Sequence, residues 1–260
     1  MDVLQVLVFC ALFGAAAGDS QANDASNDSR SMSRWEIAPE VSWYRYEEPG
    51  VMTNTGVLYG VAGAYTRFLD PKFLRLEGGL SVGEVEYDGS LLDGTPYTSG
   101  GNRDLLANIR ILGGRLWQTG TWDTQLYLGL AYRYLNDDST QDWAGYNRHS
   151  NYFYVPLGLK GYHDLADHWQ LGLGGEVDIL LIGVQISDMG DGSSPVTNTQ
   201  WPGLGARASV EFRRKMGKVD FAAAPFLQYW WVDESSISED GWYEPTNNTL
   251  QYGLSFIFRF

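Results

Sequence analysis

Leu250-Gln251-Tyr252-Gly253-Leu254-Ser255-Phe256-Ile257-Phe258-Arg259-Phe260 is the stretch on which the fold turns. In an extended chain Leu250, Tyr252, Leu254, Phe256, Phe258 and Phe260 share one face, and Gln251, Gly253, Ser255, Ile257 and Arg259 the other. Side chains of a strand alternate sides, so this strand separates two environments. The same period of two starts at Trp35 and predicts ten strands: 35–46, 57–68, 73–87, 104–117, 124–135, 152–163, 169–186, 203–213, 219–231 and 249–260.

The expected connections alternate in length. Residues 70–72, 118–123, 164–168 and 214–218 are short; 47–56, 88–103, 136–151, 187–202 and 232–248 are long. One strand face carries Leu74, Leu76, Leu80, Val82, Leu105, Ile109, Ile111, Leu126, Leu128, Leu130, Val155, Leu157, Leu159, Leu171, Leu173, Val177 and Ile179, with no charge among them. The opposite face carries Glu36, Glu40, Arg75, Glu77, Arg110, Arg133, Lys160, Glu176, Asp178, Arg207, Glu211, Asp220 and Arg259. A soluble sandwich or lipocalin-like barrel can also segregate its faces. It has no need of aromatic residues at both ends of the apolar band. Here Trp43, Tyr132, Tyr134, Phe153, Tyr229, Trp231 and Tyr252 mark the long-loop end, and Tyr65, Phe73, Trp117, Trp169, Phe212, Phe221, Phe258 and Phe260 the short-turn end. Such girdles belong at lipid headgroups. The pattern implies an all-β, closed antiparallel transmembrane barrel of about ten strands, with eight or twelve as alternatives.

Composition excludes other classes. Of 260 residues, 44% are hydrophobic and 14% aromatic, too apolar and aromatic for a disordered chain. After the first 20 residues no apolar run approaches the roughly 18 needed for a spanning helix. Residues 3–17, VLQVLVFCALFGAAA, end in small residues and read as a secretory signal peptide over 1–18. Met1-Asp2 lacks Lys and Arg, which points to a translation start upstream. Residues 19–33 read as a flexible polar leader, and 34–260 as the barrel. The single cysteine, Cys10, lies in the signal segment, so the mature chain has neither a disulfide nor a thiolate metal site.

With these residues in view, the chain resembles small Gram-negative outer-membrane β-barrel proteins of omptin or opacity-adhesin size. Tyr252, Leu254, Phe256, Phe258 and Phe260 are similar to the C-terminal assembly signal of that class. The resemblance implies residence in the cell outer membrane, contact with its lipid, and recognition of the last strand by the barrel-assembly machinery.

The inward charges nearly balance, which implies an ion-paired lumen rather than a pore selective for one sign. Arg213 is a further base near the rim. Gly60, Ala62 and Ala64 leave two readings open: room for neighbouring side chains to fold across, or the wall of a small cavity. The formal charge is −14, and acids crowd the loops: Glu47, Glu48, Asp88, Asp93, Asp137, Asp138, Asp142, Asp188, Asp191, Asp233, Glu234, Glu239, Asp240 and Glu244. They imply a solvated acidic rim, or attraction of an extracellular cation or protein partner. Trp143, Tyr146, Trp242 and Tyr243 are candidates for partner contact or for loop packing. Asp188–Ser193 gathers oxygen ligands but lacks the EF-hand pattern.

The resemblance also brings in two enzyme classes. Omptin-like proteases carry a His–Asp dyad at the outer rim. Here His149 is the only histidine on that side, with Asp137, Asp138 and Asp142 as orienting candidates, and the family's Asp-x-His in loop four is absent. Lipid A deacylases use His and Ser one residue apart on a strand; His149-Ser150 are adjacent and face opposite ways. No catalytic, metal or cofactor residue is assigned, and no basic stripe suits nucleic acid. The reading is a non-catalytic barrel with acidic, aromatic extracellular loops and a charge-paired lumen. The alternatives are a narrow channel for small solutes and then a rim-located hydrolase.

Overall fold

The computed structural model describes residues 32–91, 93–190, 194–238 and 241–260. The expected signal peptide, nearly all of the expected leader, and Asp191, Glu239 and Asp240 of the loops lie outside them. Strands run β1 (Ser33–Glu48), β2 (Met52–Leu69), β3 (Lys72–Ser90), β4 (Pro96–Thr119), β5 (Trp122–Asp138), β6 (Asn147–Asp164), β7 (Trp169–Asp188), β8 (Val196–Gln200), β9 (Gly203–Arg214), β10 (Asp220–Val232) and β11 (Asn247–Arg259). Each is antiparallel to its neighbours. The β1–β11 and β6–β7 pairings close the sheet. The short β8 and β9 both pair with β7 and are parted only by Trp201-Pro202, so the wall is a ten-strand barrel.

The alternation sorts the faces as expected. Leu74, Ile111, Leu128, Leu130, Leu157 and Val177 stand outward, with Leu130 64% exposed on the isolated chain. A surface this apolar fits hydrocarbon, not water. Trp43 stacks on Tyr252 at 5.0 Å, and Tyr132 meets Phe153 at 4.9 Å in the upper girdle. Below, Trp117, Trp169, Phe212, Phe258 and Phe260 are exposed. Phe73 is a correction: it points inward and is buried against Leu112 and Tyr127. Its neighbour Leu74 faces lipid, so period two commits Phe73 to the lumen.

The long-loop end also differs from the sequence reading. Two of the five long loops are mostly strand. β1 and β2 are joined across residues 49–51, and β3 and β4 across 91–95. These extensions reverse the polarity of the membrane segment. Tyr44, Tyr46, Met52, Leu58, Val85, Leu106 and Leu135 form a buried cluster inside, while Glu84, Glu86 and Asp88 stand outside. Above the bilayer the outer face meets water, so acids move outward and apolar residues inward. Among the described residues, 139–146, 189–190, 194–195, 233–238 and 241–246 belong to no named strand.

Two register shifts interrupt the alternation. In β7, Ile182 pairs with Phe153 and Leu180 with Tyr154, leaving Leu181 without an opposite residue. Leu181 and Ile182 are both exposed, and the inward set passes from Asp178 and Leu180 to Gln185 and Ser187. Such a bulge resets which parity faces in. The second shift lies between Val85 and Tyr87 on β3.

Leu128→Arg, on the outward face between the girdles, is expected to destabilise the barrel by roughly 2–4 kcal/mol. Reversible unfolding from phosphatidylcholine vesicles measures it. A change within error would contradict a lipid contact there.

Candidate functional site

The inward residues make two storeys. The short-turn half is polar. Glu36 and Arg259 come from β1 and β11, which close the sheet, and Arg75 and Glu77 share β3. Arg110 is on β4, Glu176 on β7 and Glu211 on β9. Together they form one chain of alternating charge. Arg259 donates to Glu211 (Nη2–Oε2, 2.7 Å) and to Glu36 (Nε–Oε1, 2.9 Å). Arg75 bridges Glu36 (2.6 Å) and Glu77, and donates to Thr66 Oγ1 at 2.7 Å. Arg110 meets Glu77 at 3.0 Å and grips Glu176 with two parallel bonds of 2.8 and 2.6 Å. Tyr127 from β5 reaches over Gly158 of β6 to donate to Glu176 at 2.8 Å. A Cβ on Gly158 would collide with the Tyr127 ring, so glycine is what permits this crossing.

Six of the inward charges expected to pair stand outside that chain. Glu40 accepts a hydrogen bond from Ser255. Asp220 pairs with Arg213 at 3.1 Å. Arg133 packs its guanidinium against the Tyr152 and Trp230 rings, 5.8 and 5.7 Å from their centroids. Lys160 and Arg207 have no carboxylate within 4.0 Å among the described residues; they lie 5.8 Å from the Tyr127 ring and 5.5 Å from the Phe226 ring. Asp178 is fully buried, and neither of its oxygens has a hydrogen-bond partner.

A cavity of about 170 Å³ occupies this lower storey. Ala62 and Ala64 line it and border open space, whereas Gly60 does not: a Cβ there would collide with Ser81, so its smallness makes room for a neighbour. Six bases (Arg34, Arg75, Arg110, Lys160, Arg207, Arg259) and five acids (Glu36, Glu40, Glu77, Glu176, Glu211) also line it. Above it the lumen is packed: Ala131, Tyr152, Tyr154, Leu180, Trp230 and Val232 form a buried cluster, with Trp230 edge-on to Tyr154 at 5.0 Å. The sequence reading weighed aromatic residues as girdles and passed over these, although Tyr152, Tyr154 and Trp230 all fall at inward positions.

At the extracellular end Arg148 pairs with Glu48 and with Asp137, the latter at 2.6 Å. Tyr46 donates to Glu48 at 2.9 Å, and Asn54 donates to Asp137 at 3.0 Å. All three ions are buried, so these two acids do not belong to the solvated rim expected of them. Glu244, held by a 2.9 Å hydrogen bond from Ser187, has its carboxyl pushed above the ordinary range by burial and by nearby Glu48, against the opposing pull of Arg148. Asp104 sits directly opposite Asp137 in the β4–β5 register, and neither of its oxygens has a hydrogen-bond partner.

His149 faces outward, where its Nδ1 lies 2.7 Å from the Tyr134 hydroxyl, whereas Ser150 is buried inside against Gln185. The two side chains are on opposite sides of the wall. Among the loop aromatics, Tyr146 packs 5.8 Å from the Arg148 guanidinium, while Trp143, Trp242 and Tyr243 are exposed, Trp143 at 81%. Asp188 accepts from the Gly190 amide at 3.0 Å; the remainder of the oxygen-rich stretch, residues 191–193, lies outside the described residues. Among the described residues no three His, Cys, Asp or Glu side chains are grouped to hold a metal.

A closed antiparallel sheet with a girdled apolar exterior and charges sealed within defines a transmembrane β-barrel of the outer-membrane type, and the outer membrane is its location. No protein-family model matches the chain, and no curated protein matches it. Solved structures do. The chain is similar to the outer membrane protease OmpT from Escherichia coli, at 9% identity over 88% of this chain and 96% of that one, with a TM-score of 0.57. It is also similar to the outer membrane protein OprG from Pseudomonas aeruginosa (10% identity, 88% and 95% covered, TM-score 0.40). Neisserial surface protein A gives 9% identity, 86% and 95% coverage, and a TM-score of 0.35. At 9% identity the likeness to the protease is one of fold.

Arg110→Ala leaves Glu176 buried without a cation, while Glu77 keeps Arg75, and is expected to cost about 3–5 kcal/mol of unfolding free energy. Equilibrium unfolding in detergent measures it, with Arg115→Ala at the exposed end of β4 as the control that loses little. Glu244 supplies a pH test. A carboxyl whose folded value lies above its unfolded one is penalised while ionised. The penalty is full above the folded value and fades as pH falls towards the unfolded one. Glu244→Gln should therefore melt higher than the unsubstituted protein at pH 7 and lose that advantage below about pH 4.5.

Proposed function

We propose that this barrel is a closed, non-catalytic outer-membrane protein that presents acidic, aromatic loops to a cationic extracellular partner. The observation that carries the reading is the packed upper storey. Tyr152, Tyr154 and Trp230 are each no more than 3% exposed and fill the lumen between the polar cavity and the extracellular end. Side chains packed to that degree support a lumen closed to water at this level. Transport of solutes is therefore disfavoured, and activity is left to the surface.

That surface supports a partner of positive charge. Trp143, Trp242 and Tyr243 are exposed beyond the upper girdle, amid Asp138, Asp188, Asp233 and Glu234. Exposed aromatic side chains carry much of the energy of protein contacts, and a rim of one sign steers the approach of the other. The hydrolase alternative loses support from the outward turn of His149 and the inward burial of Ser150. The chain's terminal strand, with Tyr252, Leu254, Phe256, Phe258 and Phe260, is the part we assign to the assembly machinery.

Planar-bilayer recording tests the closed lumen. The unsubstituted protein is expected to give no steady current, and Tyr154→Ala/Trp230→Ala to give discrete openings. Steady conductance from the unsubstituted protein, reduced on neutralising Arg110 or Glu176, would overturn the reading in favour of a narrow channel.

A further inference from the structure

We infer that the lower cavity is a binding site for a small oxyanion that enters from the short-turn, periplasmic side. The charge accounting comes first. The salt-bridge chain from Glu211 to Glu176 engages four carboxylates with three guanidiniums, and Glu40 is held by Ser255. That leaves the lining acids two charges in excess of the guanidiniums that bind them, and it leaves three lining bases, Arg34, Lys160 and Arg207, with no acid within 4.0 Å among the described residues. An ammonium and a guanidinium enclosed without a directly bonded acid carry a desolvation cost, which contact with an oxyanion reduces.

The wall is also shaped for it. Lys160 on β6 lies across Gly174 of β7: a Cβ added there would meet Lys160 Cγ at 3.4 Å and Cε at 3.8 Å, and Ser209 Oγ of β9 at 2.7 Å. The missing side chain lets the lysine stem reach over β7 towards Ser209. Arg207 lies two residues before Ser209 on the same strand and therefore on the same face. An ammonium, a hydroxyl and a guanidinium are thereby set along one wall, the donor set that recognises carboxylate or phosphate oxygens. Ala62 and Ala64, on the strand five places round the barrel, leave the facing wall low. The volume, about 170 Å³, far exceeds the roughly 10–15 Å³ that one water needs. The aromatic storey above closes the cavity to the outside, so this is a receptacle rather than a passage.

The test is isothermal titration of the full chain, folded in a neutral detergent in sodium HEPES, with sodium phosphate and separately with sodium acetate. Saturable one-site binding of either is expected, and the stronger arm tells a phosphate from a carboxylate site. Lys160→Gln and Arg207→Gln should each weaken it by about tenfold, the loss of one charge-assisted hydrogen bond. Lys215→Gln, on an exposed turn, should leave it unchanged. If a lumen variant fails to fold, the unsubstituted protein still decides. Its melting temperature should rise with phosphate or acetate above that in HEPES of equal ionic strength. Absence of saturable heat and of a melting shift with both anions, or affinities untouched by both lumen substitutions, would overturn the site.

Discussion

The rest of this structure depends on one constraint: in hydrocarbon every backbone amide and carbonyl must find its partner within the protein. A sheet meets that demand only by closing. The pairing of β1 with β11, running from Glu36–Arg259 up to Glu47–Asn248, joins the two ends of the described barrel. Once closed, the sheet has an inside and an outside, and alternation delivers each residue to one or the other. The solvent outside then decides what the inside holds. Between the girdles it is lipid, so leucine and valine face out and charge is driven in. Above them it is water, and the same strands carry Glu84, Glu86 and Asp88 outward and Tyr44, Leu58 and Val85 inward. One continuous wall thus shows opposite polarity at two heights, with no change of secondary structure.

Charge driven into a narrow lumen has to be arranged as well as counted. A guanidinium offers a planar fork, and Arg75, Arg110 and Arg259 each use it to serve two carboxylates. Sharing ties strands distant in sequence: Arg110 on β4 is bound to Glu176 on β7 by paired hydrogen bonds across the barrel. Such contacts are not the cheapest way to fill a lumen, since well-packed apolar side chains of similar volume often match buried ion pairs in stability. The upper storey demonstrates that alternative in the same molecule, with Tyr154 and Trp230 in place of ions. The ionic storey is therefore better understood through what it leaves unfilled than through the stability it adds.

The fold was legible because both of its signals are local. Period two needs only neighbouring residues, and Leu250–Phe260 displays it without interruption. What was lost needed information from other strands. The bulge at Leu181 shifts the inward parity of the top of β7, and no propensity in that run of apolar residues announces it. The inward charges were identifiable one by one, but their partners depend on the stagger of the closed sheet. So Arg110 finding Glu176, and Lys160 finding no acid, were beyond reach. Phe73 and Trp230 were misplaced or overlooked for a different reason: aromatic type was allowed to outweigh parity. The loops were overdrawn because acids in the strand extensions hid the apolar residues alternating with them.

The two storeys also separate the protein's dealings with its two sides. The extracellular partner we propose meets Trp143, Trp242 and Tyr243, on loops joined by strands that rise beyond the membrane segment around an apolar core. The site we infer on the other side is the polar cavity, whose lining includes Arg34 beside the short turns. Between them lies the packed aromatic layer, with the Arg133 guanidinium beside the stacked Tyr152 and Trp230 rings. A guanidinium in that position repels a cation approaching through the layer, whichever side it comes from. On the proposed reading, the layer separates the two ligand-facing ends sterically and sets a positive charge between them.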